Sequence, residues 1–159
     1  FACRYSKLDA KPVPQVQADD EYFYFENAFL KAAVSRRTGM LERYETGGKN
    51  YIQGASLDIY EDNADPWGMT VNGFSDRIAS FELLSPQESG ELSGAGHALE
   101  AVRVIEDGAV RTIVEAVLGY KRSRAVVQYI FSKTSDVIGC TVRLQWAEIQ
   151  KTVKFIQTH

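Results

Sequence analysis

The stretch Leu57-Asp58-Ile59-Tyr60-Glu61-Asp62-Asn63-Ala64-Asp65-Pro66-Trp67-Gly68-Met69 holds the residues best suited to chemistry. A strand-like run ends in four carboxylates, Asp58, Glu61, Asp62 and Asp65, followed by Pro66 and Trp67. Carboxylates beside an aromatic ring suit sugars. The ring stacks on the apolar face and the carboxylates accept from hydroxyls. Two carboxylates ~5–9 Å apart can also hydrolyse a glycosidic bond. Tyr60, Asp62, Asp65 and Trp67 are therefore the candidate rim of a sugar site. The plainer alternative is an acidic, solvated turn with Trp67 folded back on the edge of the fold. A calcium loop fits poorly, because the spacing departs from the EF-hand pattern.

Other chemistries find no pattern. The two histidines are His97, in the Gly94-Ala95-Gly96 loop, and His159, the last residue. Zinc wants three or four His, Cys or carboxylate ligands at workable spacing, and no His-x-x-x-His or Cys-x-x-Cys occurs. No catalytic constellation and no metal site are expected within the chain. Cys140 lies on the apolar side of a strand-like run, so inert core packing is expected rather than a nucleophile. Gly-x-Ser-x-Gly is absent, and Gly94-Ala95-Gly96 lacks the strand-to-helix setting of a phosphate loop.

The elements that must position these residues have a period of two. Ile138, Cys140, Val142, Leu144 and Trp146 share one face of the run 137–147, as a half-buried strand requires. Val110, Thr112, Val114, Ala116, Leu118 and Tyr120 form a second apolar face, opposite Arg111, Glu115 and Lys121. Ala125, Val127, Tyr129 and Phe131 form a third. Further strands are expected within 22–34, 40–45, 55–61, 77–84 and 99–106. In 22–34 the run Tyr22-Phe23-Tyr24-Phe25 puts aromatics on both faces, one in the core and one needing other cover. Asp107-Gly108 suits a type I′ hairpin turn, where both central residues need φ > 0. Arg37-Thr38-Gly39 and Lys121-Arg122-Ser123 mark two more connections. Gly47 to Asn50 and Ser85 to Gly96 read as longer loops. No capped amphipathic helix longer than two turns is found. The expected fold is all-β, an antiparallel β-sandwich spanning 21–159, with 1–20 as an extended linker or edge segment carrying Pro12 and Pro14.

Composition sets the outer limits. The 159 residues are 45% hydrophobic and 25% charged, values of an ordinary globular domain. The formal net charge of -3 lacks the basic footprint that nucleic acid demands. No apolar run reaches the ~18 residues of a membrane-spanning helix. Two cysteines, Cys3 and Cys140, are too few for a disulfide framework. They are expected as separate thiols, though one bridge stays open. The absence of a leader-like segment and the few cysteines favour the cytoplasm. The chain begins at Phe1 rather than Met, and an excised piece of a longer protein is the expected origin.

In order along the chain, several segments resemble glycoside hydrolase family 38, the α-mannosidases. Phe25-Glu26-Asn27-Ala28-Phe29 followed by Thr38-Gly39-Met40-Leu41 is similar to the opening of that family's C-terminal β-domain. Leu57-x-Ile59-Tyr60-Glu61-Asp62, then Pro66-Trp67, is similar to its next strand and loop. Val110-Arg111, Gln128-Tyr129-Ile130 and Trp146-Ala147-Glu148-x-x-Lys151-x-x-Lys154 follow in register. The likeness covers 22–156. Trp67-Gly68-Met69-Thr70 departs from it, where many members carry a second Trp and an acidic residue.

The resemblance implies a partial galactose-mutarotase-like super-sandwich, longer in full than this chain. The parent would be a retaining α-mannosidase that removes terminal α-mannose from oligosaccharides. Its zinc, held by Asp and His, and its Asp nucleophile would belong to an N-terminal catalytic domain, the expected partner. The fragment alone would be inactive. Trp67 would pack or stack at the tip of a loop facing that domain. Asp62 and Asp65 would shape the loop by accepting backbone N–H bonds. Trp146 is expected in the core, and Lys151 and Lys154 on a solvated edge. Two other classes stay open: a stand-alone carbohydrate-binding module, and a structural sandwich whose exposed strand edges pair into a homodimer.

Overall fold

A computed structural model describes residues 13–62 and 73–159. In chain order its elements are β1 (Gln17–Ala18), β2 (Tyr22–Glu26), β3 (Leu30–Ser35), β4 (Leu41–Thr46), β5 (Lys49–Asn50), β6 (Gly54–Glu61), β7 (Arg77–Ser80) and β8 (Glu82–Leu83). The helix α1 (Pro86–Leu92) follows, then β9 (Val102–Asp107), β10 (Arg111–Tyr120), β11 (Ser123–Ser132), β12 (Ile138–Gln145) and β13 (Lys151–Thr158). The chain is all-β and sandwich-like, with antiparallel sheets and no closed barrel.

β1 to β5 form a meander in sequence order. A second sheet runs β12-β11-β10-β8, with β9 also paired to β10. The first two sheets face each other. Phe25 of β2 stacks on Phe131 of β11, ring centroids 4.9 Å apart. The Leu41 N–H donates to the Tyr129 hydroxyl at 3.1 Å, and that hydroxyl points its own proton at Met40 Sδ. A third sheet, β13-β6-β7, lies beside β4. Phe81 is the switch between sheets. Arg77–Ser80 pair with β6, Glu82–Leu83 pair with β10, and Phe81 between them is buried with its N–H on the Leu57 carbonyl.

Burial along β11 alternates strictly, with Ala125, Val127, Tyr129 and Phe131 inward as expected. Each such large side chain contributes about 1.5–3 kcal/mol by leaving water. β10 is buried on both faces from Thr112 to Leu118, so Glu115 is not on a solvated face. Its carboxylate accepts from Arg103 Nη2 at 2.7 Å and Gln128 Nε2 at 2.6 Å. Arg103 also donates to the hydroxyls of Ser89 and Ser93, which ties α1 to the sheet.

Several expectations are corrected. β12 is an edge strand, and Cys140, Val142 and Leu144 are exposed rather than core. Among the described residues nothing buries their side of the strand, so alternation there did not produce burial. Ile138 and Trp146 do pack on the core, and Trp146 lies 6.4 Å from the Phe81 ring. The hairpin after β9 turns at Ala109-Val110, because the Gly108 N–H bonds to the Arg111 carbonyl and neither Asp107 nor Gly108 has positive φ. The Asp107 carboxylate has other partners, which hold it out of that turn. Gly39, by contrast, adopts φ +72° as a loose hairpin needs.

The region 22–34 divides at Asn27. Its side-chain oxygen accepts from the N–H groups of Phe29 and Leu30, both at 2.8 Å. Its amide nitrogen donates to the carbonyls of Ser132 and Ser135 across the sandwich. The second aromatic face of β2 is tied down locally. Tyr22 donates to Glu42 and Tyr24 donates to Asp19, while on the core side, beside Phe25, the Arg36 guanidinium covers Phe23. Within the proposed linker, β1 pairs with β2; residues 1–12 lie outside the described residues.

Candidate functional site

β6 carries the described part of the acidic segment. Leu57, Asp58, Ile59 and Tyr60 are all buried, because β13 and β7 flank the strand on either side. Asp58 faces β7. It forms an ion pair with Arg77 Nε at 2.9 Å and accepts the Ser80 hydroxyl proton. Among the four carboxylates, this one is fully engaged inside the fold.

Tyr60 sits near the end of the strand, under Lys154 of β13. The ammonium lies 4.4 Å from the ring centroid, and it donates to the carbonyls of Phe74 at 2.8 Å and Gly73 at 3.4 Å. A cation over a partly desolvated ring is worth about 0.5–2 kcal/mol. One face of the Tyr60 ring is therefore taken by Lys154. Lys154 is not a free solvated edge charge; it fastens β13 to the far end of the segment. Lys151, half-buried, opens the same strand opposite Glu61.

Asp62 follows directly and is half-buried. Its own N–H donates to the Gln150 carbonyl at 3.0 Å, while the Glu61 N–H donates to Asp76. These bonds bring the two ends of 62–76 side by side. Asp65 and Trp67 lie outside the described residues. Of the four candidates, Tyr60 and Asp62 are described: Tyr60 is buried near the end of β6 and Asp62, two residues on, is half-buried.

His97 is exposed beyond α1, and its carbonyl closes on Gly90, where a Cβ would approach to 2.2 Å. His159 Nδ1 lies 2.7 Å from the Tyr51 carbonyl. Cys140 is an exposed thiol whose pKa is pushed up by desolvation; Cys3, its possible partner, lies outside the described residues. Among the described residues, no three His, Cys, Asp or Glu side chains gather as a metal site. No described helix is long and apolar enough to cross a membrane.

Three features were not anticipated. β13 supplies the lid on Tyr60, and its sequence, Lys-Thr-Val-Lys-Phe-Ile-Gln-Thr, carries too little alternation to announce a strand. α1 begins at a capping box, Ser85 and Glu88 exchanging bonds with Pro86 at the first turn. That signal stands in the sequence within what reads as a loop. The Asp107 cluster depends on Gln15, Thr112 and Lys133, residues too far apart in sequence to suggest a pair. No protein-family model matches the chain, and no curated protein matches it.

Proposed function

We propose that the chain is the non-catalytic β-sandwich portion of a glycoside hydrolase family 38 α-mannosidase, part of a galactose-mutarotase-like super-sandwich. The parent removes terminal α-mannose residues from oligosaccharides by a retaining, zinc-dependent mechanism. The carrying observation is the ordered series of similar segments across 22–156. An antiparallel sandwich whose β12 edge has no neighbour among the described residues supports it, since a partial super-sandwich leaves a strand without its neighbour.

On this reading the nucleophile and metal belong to an N-terminal catalytic domain, and this chain contributes support and the rim residues Tyr60, Asp62, Asp65 and Trp67. Lys154 holds Tyr60 in place, and Asp62 starts the loop that would reach the partner domain. The test is turnover of an aryl α-mannoside. The 159-residue chain alone is expected to be inactive, and a protein that also includes the coding region upstream of Phe1 is expected to show zinc-dependent turnover. Robust zinc-dependent turnover by the chain alone would overturn the reading. So would an upstream region with no Asp and His arrangement suited to zinc.

The second reading is a stand-alone carbohydrate-binding module. It is favoured by the position of Tyr60 and Asp62 at the end of β6, just before the acidic and aromatic residues Asp65 and Trp67 in sequence. Glycan binding by the isolated chain that is lost in Trp67→Ala would support it over the first.

A further inference from the structure

Three arginines gather where β11 leaves the turn after β10 and β12 ends beside it. Arg124 and Gln145 are directly opposite in the β11–β12 ladder. Both lie on the outward face, because their neighbours Ala125 and Leu144 point to the other side. Arg143 stands two residues before Gln145 on that same face, about 7 Å along the strand. Arg122, in the turn, donates from Nη2 to the Ala147 carbonyl at 3.2 Å, which fastens it two residues beyond Gln145. Three guanidinium groups therefore border one amide side chain.

Gathering like charges opposes folding, and the chain does not neutralise these. Among the described residues, neither Arg122 nor Arg124 joins an ion pair. Arg143 Nη2 stands 3.8 Å from Glu115 Oε2, beyond hydrogen-bond length. Both Glu115 oxygens are already taken by Arg103 and Gln128. Glu148 accepts from the Arg122 backbone N–H and the buried Ser123 hydroxyl. Glu88 has its pKa lowered first by its bonds to Ser85 and only last by the Arg124 charge.

Carbonyls aim the guanidinium groups instead. Arg122 is held by Ala147, and Arg124 Nη1 donates to Lys121 and Ser123 at 2.7 and 2.9 Å. A carbonyl fixes a guanidinium without cancelling its charge and leaves its other N–H groups available. A chain with a formal net charge of -3 thus keeps a cationic cluster on one exposed face. Guanidinium forks match oxyanions by paired N–H donation. A planar carboxylate is satisfied by one fork. Three forks converging from different directions suit a tetrahedral group with more oxygens and more charge.

We propose that this face, at the start of β11 and the end of β12, binds a phosphate or sulfate group. Arg122, Arg124 and Arg143 hold it, and the Gln145 amide is a fourth donor. The site uses none of the rim residues Tyr60, Asp62, Asp65 and Trp67, and it does not rest on the α-mannosidase reading.

The test is an NMR titration of the full chain at constant ionic strength, following backbone amides and arginine Nε–H signals. The probes are inorganic phosphate, sulfate and phenyl phosphate, with acetate and chloride as controls. Saturable shifts confined to residues 122–126 and 143–147 are expected for the tetrahedral anions and not for the controls. Tighter binding of phenyl phosphate identifies an esterified group, and tighter binding of inorganic phosphate or sulfate identifies the free ion. Arg122→Gln and Arg143→Gln are each expected to weaken binding about tenfold. Arg143 is exposed and its contact with Glu115 is long, so Arg143→Gln tests the charge without disturbing the fold. Arg111→Gln, at the other end of β10, is expected to leave binding unchanged. The proposal is overturned if no tetrahedral anion gives saturable shifts, or if acetate or chloride gives the same ones. It is also overturned if Arg143→Gln binds like the parent, or if Arg111→Gln weakens binding as much. Failure of the mannosidase reading is detected separately, through aryl mannoside turnover.

Discussion

Lys133 Nζ lies 2.5 Å from Asp107 Oδ1, with both side chains about nine-tenths buried. The Thr112 hydroxyl donates to the same oxygen at 2.7 Å. The N–H groups of Gln15 and Val16 donate to the other, at 2.7 and 3.0 Å. One carboxylate therefore joins the segment before β1 to β9, β10 and the turn after β11. The same ammonium stands over the Phe25 ring, 5.3 Å from its centroid, so the ion pair also borders the core.

This cluster sets an acid limit on stability. Burial acts to raise the Asp107 pKa, but the Lys133 ammonium, the Thr112 hydroxyl and the two backbone N–H groups outweigh it and bring it to about 2. The folded value is thus below the unfolded one, ~3.9. Its contribution is fully present above about pH 4 and is lost as pH falls toward 2, on the order of 2 kcal/mol. Asp107→Asn removes that dependence and leaves Lys133 buried without its counter-ion, a cost of about 3 kcal/mol at neutral pH. Urea midpoints across the acid range measure both. An unchanged acid limb in Asp107→Asn contradicts the assignment.

Tyr129 bridges the two facing sheets through a single oxygen. Burial pushes its pKa well above the ordinary tyrosine value, against the opposing pull of the Leu41 N–H. Tyr129→Phe keeps the ring and strands that N–H, at a cost of about 1–3 kcal/mol. Urea denaturation reads the loss, and a variant as stable as the parent would show that the hydroxyl bond contributes nothing. In the native protein the Tyr129 phenol is expected to stay protonated through the pH range in which exposed tyrosines ionise.

Gly39 has two reasons to be glycine. Its φ is +72°, and a Cβ would stand 2.6 Å from Ala116 Cβ and 2.9 Å from Leu83 Cδ2. The facing sheets meet here with no room for a methyl group. Gly39→Ala is expected to cost about 2–4 kcal/mol, the sum of left-handed strain and overpacking. Ala116→Gly in the same chain relieves the nearest clash and is expected to recover part of the loss, leaving the backbone term. No recovery in the double variant would mean that the clash plays no part.

Legibility in the sequence followed burial. β10 and β11 were readable because their inward faces meet another sheet, so selection for apolar residues at every second position is written in full from Thr112 to Phe131. Gly39 was readable because only glycine reaches its φ cheaply. β12 shows the converse. Its alternation says which side faces the sandwich interior but not whether anything lies opposite. β13 escaped because it is half-buried along most of its length, and Lys154 serves as an aromatic cover and a carbonyl cap, roles that no period encodes. For the candidate rim, the chain order put Tyr60 and Asp62 together, since Tyr60 is near the end of β6 and Asp62 directly follows the strand. The Asp58–Arg77–Ser80 cluster required the β6–β7 pairing, whose partners are about twenty residues apart in sequence and invisible to local pattern.

The uncovered side of β12 leads to the last prediction. Val142 and Leu144 are 37% and 40% exposed, and Cys140 lies between Ile138 and Val142 on the same face. Among the described residues the outer edge of the strand has no neighbour, because β12 ends its sheet. Unpaired N–H and C=O groups beside an apolar stripe are a template for another strand. In a longer sandwich that strand would come from the same protein; in the isolated chain a second copy is the available partner. Sedimentation velocity is expected to show self-association that rises with concentration. Leu144→Lys places a charge on the stripe without emptying a packed site, so it is expected to hold the chain monomeric with stability changed by no more than about 0.5 kcal/mol. A parent chain that stays monomeric at all concentrations would mean that the twist and polar flank of β12, with Thr141, Arg143 and Gln145 outward, already suffice to protect the edge.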